Sequence, residues 1–220
     1  LGELSAVIAH EIRNPLSGVG ISAQALSRSL HPGDFHEANL KNILKGIRKV
    51  DDVIKGLLDF ATPKEPVLTP ISINKVLEEA LFISTPQVQE SQITLEKSLG
   101  KGLPLVLLDQ EQIKRVFINI ILNALQAMQS GGVLRLRTAR SAGRRVMVRI
   151  TDTGAGIPPA ILKRIFDPFF TTKSQGAGLG LSISRTILEK HHATITCDSQ
   201  EGKGTTFTLL FRVQPDAQGW

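Results

Sequence analysis

Residues 9–16 read AHEIRNPL and bring together side chains that could do chemistry. His10 is followed by Glu11 and then, four residues on, by Asn14 where a zinc-binding H-E-x-x-H motif has its second histidine. One imidazole with one amide makes a poor zinc site. On a helical wheel His10 lies almost opposite the apolar stripe of its helix, which predicts a surface position. It is either a solvated histidine on a charged face or a nucleophile, mostly neutral near pH 7 and oriented by the adjacent carboxylate.

Amide side chains line one flank of a helix predicted over 111–128. Asn119 and Asn123 are four residues apart and share this flank with Gln112 and Gln126. Amides beside a buried stripe need partners, and a structural hydrogen-bond network would supply them. The oxygen of an amide is also a usual ligand for a magnesium ion that carries phosphates.

The segment VMVRITDTGAGIP (146–158) alternates valine and isoleucine at even positions, which places Asp152 on the inward face of a strand. A carboxylate there needs a donor, and the amino group of an adenine would supply one. Gly154 and Gly156 would let the backbone pass close to a ring. A simple turn is the other interpretation of so short a pattern.

Glycines also lead into a predicted helix in GAGLGLSISRTI (176–187). They are Gly176, Gly178 and Gly180. Backbone N–H groups at such a helix start can bind phosphate, although the Gly-Lys-Ser/Thr of a P-loop is missing. Just before it, RIFDPFFTTK (164–173) has the aromatic content of a flap. Lys173 and the two threonines before it could donate to anionic oxygens.

The elements that would position these residues fall into two halves. Apolar residues at alternating spacings of three and four over 37–61, and a similar stripe in the preceding helix, predict a helical hairpin joined by the turn LHPGDF (30–35). Such a hairpin cannot bury both seams, so we expect two copies to form a four-helix bundle. The seams are Ile8, Ile12, Leu16, Val19, Ala23, Leu26 and Leu30 in one helix, and Leu40, Ile43, Ile47, Val50, Ile54, Leu57 and Ala61 in the other.

After the proline-rich ATPKEPVLTP (61–70), strands and helices mix. Strands are predicted at 93–99, 104–109, 133–140, 145–152, 193–198 and 205–212, with helices at 111–128 and near 178–191. Several strands follow one another directly, so the prediction is an α+β sandwich with helices on one face of the sheet.

Composition is that of an ordinary globular protein of 220 residues, 41% of them hydrophobic and 21% charged. No apolar run approaches the roughly 20 residues of a membrane helix. The single cysteine, Cys197, excludes an internal disulfide and suits a reducing compartment. Six arginines between 135 and 149 dominate the net charge of +6. They could form a nucleic-acid patch, but their alternation with apolar residues favours the solvent side of a hairpin.

Taken in order, these segments resemble the motifs of the sensor histidine kinases. HEIRNP is similar to the H box, NIILNA to the N box, DTGAGIP to G1, IFDPFF to the F box, GAGLGL to G2, and GKGTTF (202–207) to the closing segment. The resemblance extends from about residue 4 to 212. It is greatest to the nitrogen-regulation and metal-responsive sensors, because of TTK after the F box and NALQAM after the second asparagine.

The resemblance implies roles for individual residues. His10 matches the phosphoacceptor, Glu11 its acid/base neighbour, and Asn14 the residue that positions a water for dephosphorylating the regulator. The other interpretation of Asn14 is an amide that only caps backbone groups freed by Pro15. Asn123 matches the magnesium ligand and Asn119 its helical companion. The remaining matches are Asp152 to the adenine-reading aspartate, Gly154, Gly156, Gly176, Gly178 and Gly180 to the nucleotide loops, and Thr205 to the residue that supports the aspartate. Gln126 stands where many relatives carry Lys or Arg, so Lys173 is expected to take over the phosphate contact.

The implied activity is ATP-dependent phosphorylation of His10, followed by transfer to an aspartate of a response regulator, with Mg²⁺ and ATP as cofactors. Clamp ATPases of the gyrase, heat-shock-90 and mismatch-repair type are the alternative enzymes, and a silent dimeric scaffold is the non-enzymatic one. The expected domains are 1–61 for dimerisation and phosphotransfer, 62–70 as linker, 71–213 for ATP binding and 214–220 as a tail. We expect a cytoplasmic homodimer that binds no nucleic acid, cut from a longer protein whose sensor domain lies outside this chain.

Overall fold

The computed structural model describes residue 12, residues 16–24, residue 26 and residues 35–61, 64–90, 92–128, 131–173 and 178–213. His10, Glu11, Asn14 and Gly176 lie outside these residues, so the roles expected of them stay predictions. The chain divides into two compact units. The first joins the residues up to Lys64 with Asp167–Ile183, and the second joins Glu65–Phe166 with the residues from Ser184 onward.

The first unit contains the helical hairpin elements. Residues 16–24 are helical (α1), and α2 spans Phe35–Ala61, as the heptad pattern predicts. An Ile47 methyl lies 3.7 Å from the place a Cβ would take at Gly20, so the two helices pack closely there. Three of the predicted seam residues are buried: Ala23, Leu40 and Ile54. Five others are between 38% and 57% exposed: Ile12, Val19, Leu26, Ile43 and Val50. A single hairpin therefore leaves part of its apolar seam open to solvent.

The second unit is built on a five-stranded sheet in the order β2-β4-β5-β7-β6. Its strands are β2 Ile93–Leu99, β4 Gly132–Ser141, β5 Arg145–Asp152, β6 Thr194–Gln200 and β7 Gly204–Arg212. β2 runs parallel to β4, and all other neighbours are antiparallel. A separate two-stranded ribbon pairs β1 Thr69–Ile71 with β3 Val106–Leu108. The helices are α3 Ile73–Glu90, α4 Gln110–Ala127, the short α5 Pro159–Leu162 and α6 Gly180–Lys190.

One face of the sheet forms the core with α3 and α4. Alternate residues of β4, β5 and β7 are buried, among them Leu136, Val148 and Leu209. On the opposite face Arg135, Arg137 and Arg149 are exposed, and Arg135 pairs with Glu96 at 2.6 Å. The arginine alternation thus marks the solvent side of the β4–β5 hairpin, and the α+β prediction is confirmed.

Three elements escaped the sequence analysis: α3, β1 and the four-residue helix α5. The helix α3 was missed, although its apolar residues recur at the spacing of a helix: Ile73, Val76, Leu77, Ala80 and Leu81, all buried. The strand β1 was assigned to the proline-rich linker. Pro70 is paired in register with Leu107 although it lacks an N–H, and proline is tolerated in edge strands such as those of a two-stranded ribbon. The other predicted strands and helices agree with the structure to within about two residues at each end.

Candidate nucleotide-binding site

The amide-bearing helix α4 is fixed at its start by Asp109. The Oδ1 atom of this N-cap residue accepts the backbone N–H of Gln112 at 3.0 Å, and Oδ2 accepts that of Val67 at 3.1 Å. Partial burial acts to raise the pKa of Asp109, but the hydrogen bonds from Gln112 and Val67 outweigh it and lower the pKa overall. Asp109 therefore fixes the start of α4 and holds it beside the chain at Val67.

A buried histidine ties the same cap to α6. His191 is 5% exposed, and its Nε2 accepts the backbone N–H of Asp109 at 3.0 Å. Because the carbonyl of Ile187 can only accept, Nδ1 carries the proton and donates to that oxygen at 2.7 Å. Burial lowers the pKa of His191, so the ring is held neutral with both nitrogens engaged. Sequence reasoning did not find this contact, because its partners are 82 residues apart.

The two asparagines of α4 are half-buried. The amide nitrogen of Asn119 donates to the hydroxyl of Ser184 at 3.0 Å, which links α4 to α6. A structural bond of this kind was one of the two interpretations open from sequence, and the amide oxygen of Asn119 is not used in it. The core side of α4 includes Ile121 and Leu125, which are buried, whereas Ala127 near the end of the helix is only half-buried.

Asp152 lies at the end of β5 on the inward face, as the alternation predicts, and is 4% exposed. Its Oδ1 accepts two backbone N–H groups, from Gly154 at 2.9 Å and from Thr205 at 3.2 Å. Burial raises the pKa of Asp152, and these two bonds, together with one from its own backbone N–H, oppose the rise only in part. Both bonds go to Oδ1, so Oδ2 is the atom with which this buried carboxylate can accept a donor from a ligand.

Hydroxyl groups continue from Asp152 across the sheet. Thr205 is 6% exposed, and its Oγ1 lies 3.0 Å from the hydroxyl of Ser199 on β6. Ser199 in turn contacts the carbonyl of Gly204 at 2.9 Å and the backbone N–H of Ile157 at 2.8 Å. Thr205 thus supports the aspartate through its backbone, while its side chain faces Ser199, a residue that the sequence analysis did not single out.

The loop after Asp152 is held by protein contacts along its length. Ala155 donates to the carbonyl of Ala127 at 3.1 Å and accepts the N–H of Gly202 at 2.7 Å. Gly156 has φ +69°, and a Cβ at this position would lie 2.1 Å from the carbonyl oxygen of Gln200. The β6–β7 turn therefore leaves room only for glycine at this position, whether or not a nucleotide base binds next to it.

The second glycine-rich segment and the residues before it are described only in part. Gly178 has φ +68°, and a Cβ there would lie 2.5 Å from the backbone of Phe169, so this close approach also requires glycine. Gly180 begins α6. Lys173 is exposed to solvent, yet desolvation by its surroundings lowers its pKa. Phe166 belongs to the second unit, where its ring makes an edge-on contact with Phe207 at 6.5 Å.

Within the described ranges, no group of three or more His, Cys, Asp or Glu side chains could hold a metal by itself. A magnesium ion here would depend on an amide oxygen and on the phosphates of a nucleotide, which suits the amide flank of α4.

None of the described helices is long and apolar enough to cross a bilayer. Burial raises the pKa of Cys197 to about 12, which agrees with a strand residue and not with a nucleophile.

Comparison with known families gives two matches. Residues 1–66 match the "His Kinase A (phospho-acceptor) domain", and residues 108–215 match the "Histidine kinase-, DNA gyrase B-, and HSP90-like ATPase" family. The curated protein "Signal transduction histidine-protein kinase AtoS" of Escherichia coli (strain K12) is 36% identical over 215 residues, which cover 98% of this chain and 35% of AtoS.

Solved structures give the same result. Full-length ShkA in complex with AMPPNP superposes with a TM-score of 0.82 at 25% identity, over 96% of this chain and 46% of that one. Histidine kinase ThkA in complex with response regulator protein TrrA superposes with a TM-score of 0.72 at 25% identity, over 99% of this chain and 63% of that one. The chain thus spans about a third of AtoS and about half of ShkA. It belongs to the sensor histidine kinases, with a phosphoacceptor domain first and a nucleotide-binding ATPase-type domain after it.

Proposed function

We propose that this chain phosphorylates its own His10 with ATP and passes the phosphoryl group to an aspartate of a response regulator. The observation that carries the proposal is Asp152, a carboxylate buried in a nucleotide-binding fold with Oδ1 fully used and Oδ2 left for a donor. The adenine amino group is such a donor. The AMPPNP complex of ShkA and the regulator complex of ThkA support the two halves of the reaction.

In the proposed reaction the neutral Nε2 of His10 attacks the γ-phosphorus of ATP. The bond from that phosphorus to the β,γ-bridging oxygen breaks, ADP leaves, and Glu11 accepts the Nδ1 proton. The amide oxygen of Asn123, with Asn119 beside it, would hold a magnesium ion, whose charge, when it is bound, would offset that of the phosphates. Lys173 is proposed to contact the phosphates in place of the basic residue that Gln126 replaces.

The glycine loops and the domain bounds complete the proposal. Gly154, Gly156, Gly176, Gly178 and Gly180 would bring backbone N–H groups close to the nucleotide, with Thr205 supporting Asp152. Residues 1–61 would carry dimerisation and phosphotransfer, and residues 71–213 would bind ATP. Water positioning by Asn14, for removal of phosphate from the regulator, stays a prediction from the H-box spacing.

The proposal is tested with radiolabelled Mg-ATP. We expect label on the protein that is lost in acid and kept in base, as a phosphohistidine requires, and we expect His10→Gln to abolish it. His192→Gln is the matched control, because His192 is exposed and should not matter. His191 is a poor acceptor, since it is buried and both ring nitrogens are engaged. Label that persists on His10→Gln would refute the assignment, and ADP release without any labelled protein would favour the clamp ATPases.

We also propose that two hairpins associate into a four-helix bundle. The support is the apolar seam that one hairpin leaves open, since Val19, Leu26, Ile43 and Val50 remain 38–57% exposed. Light scattering of the chain is expected to give twice the monomer mass, and Ile43→Asp with Val50→Asp should give a monomer. Ile83→Asp is the control, because Ile83 is similarly exposed but lies on α3. A monomeric wild-type chain would rule out the bundle.

A further inference from the structure

The face of the five-stranded sheet that points away from α3 and α4 carries arginines in two cross-strand pairs. Arg137 on β4 lies opposite Arg149 on β5, and Arg145 on β5 lies opposite Arg212 on β7. All four side chains are exposed to solvent. Like charges that lie directly opposite each other destabilise a sheet, so each pair is a cost to the fold unless an anionic group lies against it.

No acidic side chain of the described chain compensates these four arginines. Arg135, on the same face, pairs with Glu96 at 2.6 Å. For the four arginines of the two pairs, in contrast, no side-chain hydrogen bond or ion pair exists within the described residues. Asp198 also lies on this face, but its partner in register is Thr206, at the opposite end of β7 from Arg212. Four guanidinium groups are therefore open to an anionic partner.

A row of apolar side chains separates the two arginine pairs. Met147 lies between Arg145 and Arg149 on β5, and its neighbours in register are Ala139 on β4 and Leu210 on β7. These three side chains are half-buried. The row is about 10 Å wide, because adjacent strands lie about 4.8 Å apart, and the two pairs are about 13 Å apart along β5 at about 3.3 Å per residue. We call the seven residues the arginine patch: Arg137, Ala139, Arg145, Met147, Arg149, Leu210 and Arg212.

These dimensions match an α-helix that lies along β5. A helix with its side chains is about 10–12 Å in diameter, close to the width of the apolar row. Residues four apart share one side of a helix, and residues eight or nine apart are separated by about 12–13.5 Å along its axis. An apolar residue midway between two acidic ones would therefore cover Met147 while the acids reach both arginine pairs. Carboxylates are the groups that a guanidinium binds with two parallel hydrogen bonds.

Two other anionic partners fit this face less well. Single-stranded nucleic acids bind to aromatic side chains on which their bases stack, but Phe207 and Phe211 of β7 are buried on the opposite side of the sheet. A bilayer would require apolar side chains that protrude beyond the charged ones, whereas Met147 and Leu210 are half-buried between the arginines.

We infer that the arginine patch is a docking surface for an acidic amphipathic helix of a partner protein. The side of that helix that meets β5 has acidic residues four positions before and four positions after an apolar one. The inference does not depend on the proposed function, because none of the patch residues is expected to bind ATP or to accept the phosphoryl group. Variants of the patch should therefore label at His10 as the wild type does.

The experiment uses a fluorescein-labelled helical peptide of about 20 residues, which has a leucine stripe and glutamates four positions before and after the leucines. Fluorescence anisotropy measures its binding to the full chain. One variant combines Arg137→Gln with Arg149→Gln, and a second combines Arg145→Gln with Arg212→Gln. Each should bind the peptide about two- to thirtyfold more weakly, the worth of two exposed ion pairs. A peptide with glutamine in place of each glutamate should not bind.

Lys75→Gln combined with Lys163→Gln is the matched control, because it removes two exposed charges that lie on other elements and should leave binding unchanged. Urea unfolding is the second readout. Relief of the repulsion should make both patch variants at least as stable as the wild type, so weaker binding would not result from unfolding.

The inference would be overturned by a clear loss of stability in the patch variants, because the arginines would then be structural. Equal binding of the two peptides, or equal weakening in the lysine control, would also overturn it. So would a wild-type chain that does not bind the acidic peptide, including one whose patch binds duplex DNA or anionic vesicles instead. Loss of labelling at His10 in the wild type would contradict the proposed function and leave this inference standing.

Discussion

Replacing Asp152 with asparagine separates what this carboxylate does for binding from what it does for stability. Asparagine has the same shape, and its Oδ1 can accept the N–H groups of Gly154 and Thr205 as the carboxylate does. Oδ2 becomes an NH₂ group, so the buried charge and the acceptor proposed for the adenine amino group are both lost. Ligand binding and folding should therefore respond in opposite directions.

For binding, the variant loses one hydrogen bond to a charged acceptor and places a donor against the amino group. A hydrogen bond to a charged group contributes about 1.5–3 kcal/mol, so the affinity for ATP and ADP should fall about 10- to 150-fold. Simple triphosphate, which has no base, should bind the variant and the wild type equally.

For stability, the sign follows from the pKa of Asp152, which burial raises above its ordinary value of 3.8. A carboxyl with a raised pKa takes up its proton more readily in the folded than in the unfolded state, so stability declines as pH rises through the folded pKa. Near pH 8 the ionised carboxylate is therefore a cost, and Asp152→Asn should be at least as stable as the wild type. The difference should shrink as the pH approaches 3.8.

Urea unfolding without nucleotide measures the stability, and calorimetry with ATP, ADP and triphosphate measures the binding. Asp198→Asn makes the same chemical change at an exposed residue of β6 and should alter neither quantity. An Asp152→Asn variant that binds ATP as tightly as the wild type would refute the assigned pocket. One that binds weakly only because it is clearly less stable at pH 8 would show that the carboxylate is structural.

Two further predictions concern the supports of the site. Gly156→Ala should destabilise the fold by about 2–5 kcal/mol, the sum of about 1–2 for a left-handed backbone and about 1–3 for overlap with Gln200. Gly102→Ala is the control, because Gly102 has φ +61° and nothing lies within 4 Å of the added Cβ, so only the cost of the left-handed backbone should appear. If urea unfolding showed the same loss of stability for both variants, the overlap with Gln200 would be contradicted. Burial lowers the pKa of His191, and His192 adds a small lowering effect, although the nearby Asp109 carboxylate acts to raise it. Because the folded-state pKa lies below the ordinary value of 6.5, the neutral ring contributes its full stability above pH 6.5. This stability declines as the pH falls below that value. His191→Gln should flatten the pH dependence of unfolding between pH 7 and 5, and parallel curves for the variant and the wild type would show that the ring is not responsible.

Local patterns in the sequence were sufficient to predict most of the strands and helices and the position of Asp152. The period of two over 146–150 placed Asp152 on the buried face, and the structure agrees because a strand has no freedom to change that alternation. The helix α4 and the β4–β5 hairpin followed from apolar spacing in the same way. The six ordered motifs identified the family, which the matches to the phosphoacceptor and ATPase families confirm. The helix α3 was missed although its apolar pattern is present, because no motif drew attention to it. The strand β1 and the helix α5, with three and four residues, are too short to show a period.

Contacts between distant parts of the chain were decided only by the tertiary structure. His191 at the cap of α4 and Asn119 against Ser184 join residues that are 82 and 65 positions apart, and only the whole fold brings them together. The glycines after Asp152 were read as space for a ring, but the structure gives Gly156 a reason within the protein, because the carbonyl of Gln200 occupies the place of a side chain. A sequence determines which residues a strand or helix must bury, since that depends on neighbours along the chain. Which hydrogen-bond partner each buried polar group finds depends on how the elements are arranged in space, and this the sequence patterns did not contain.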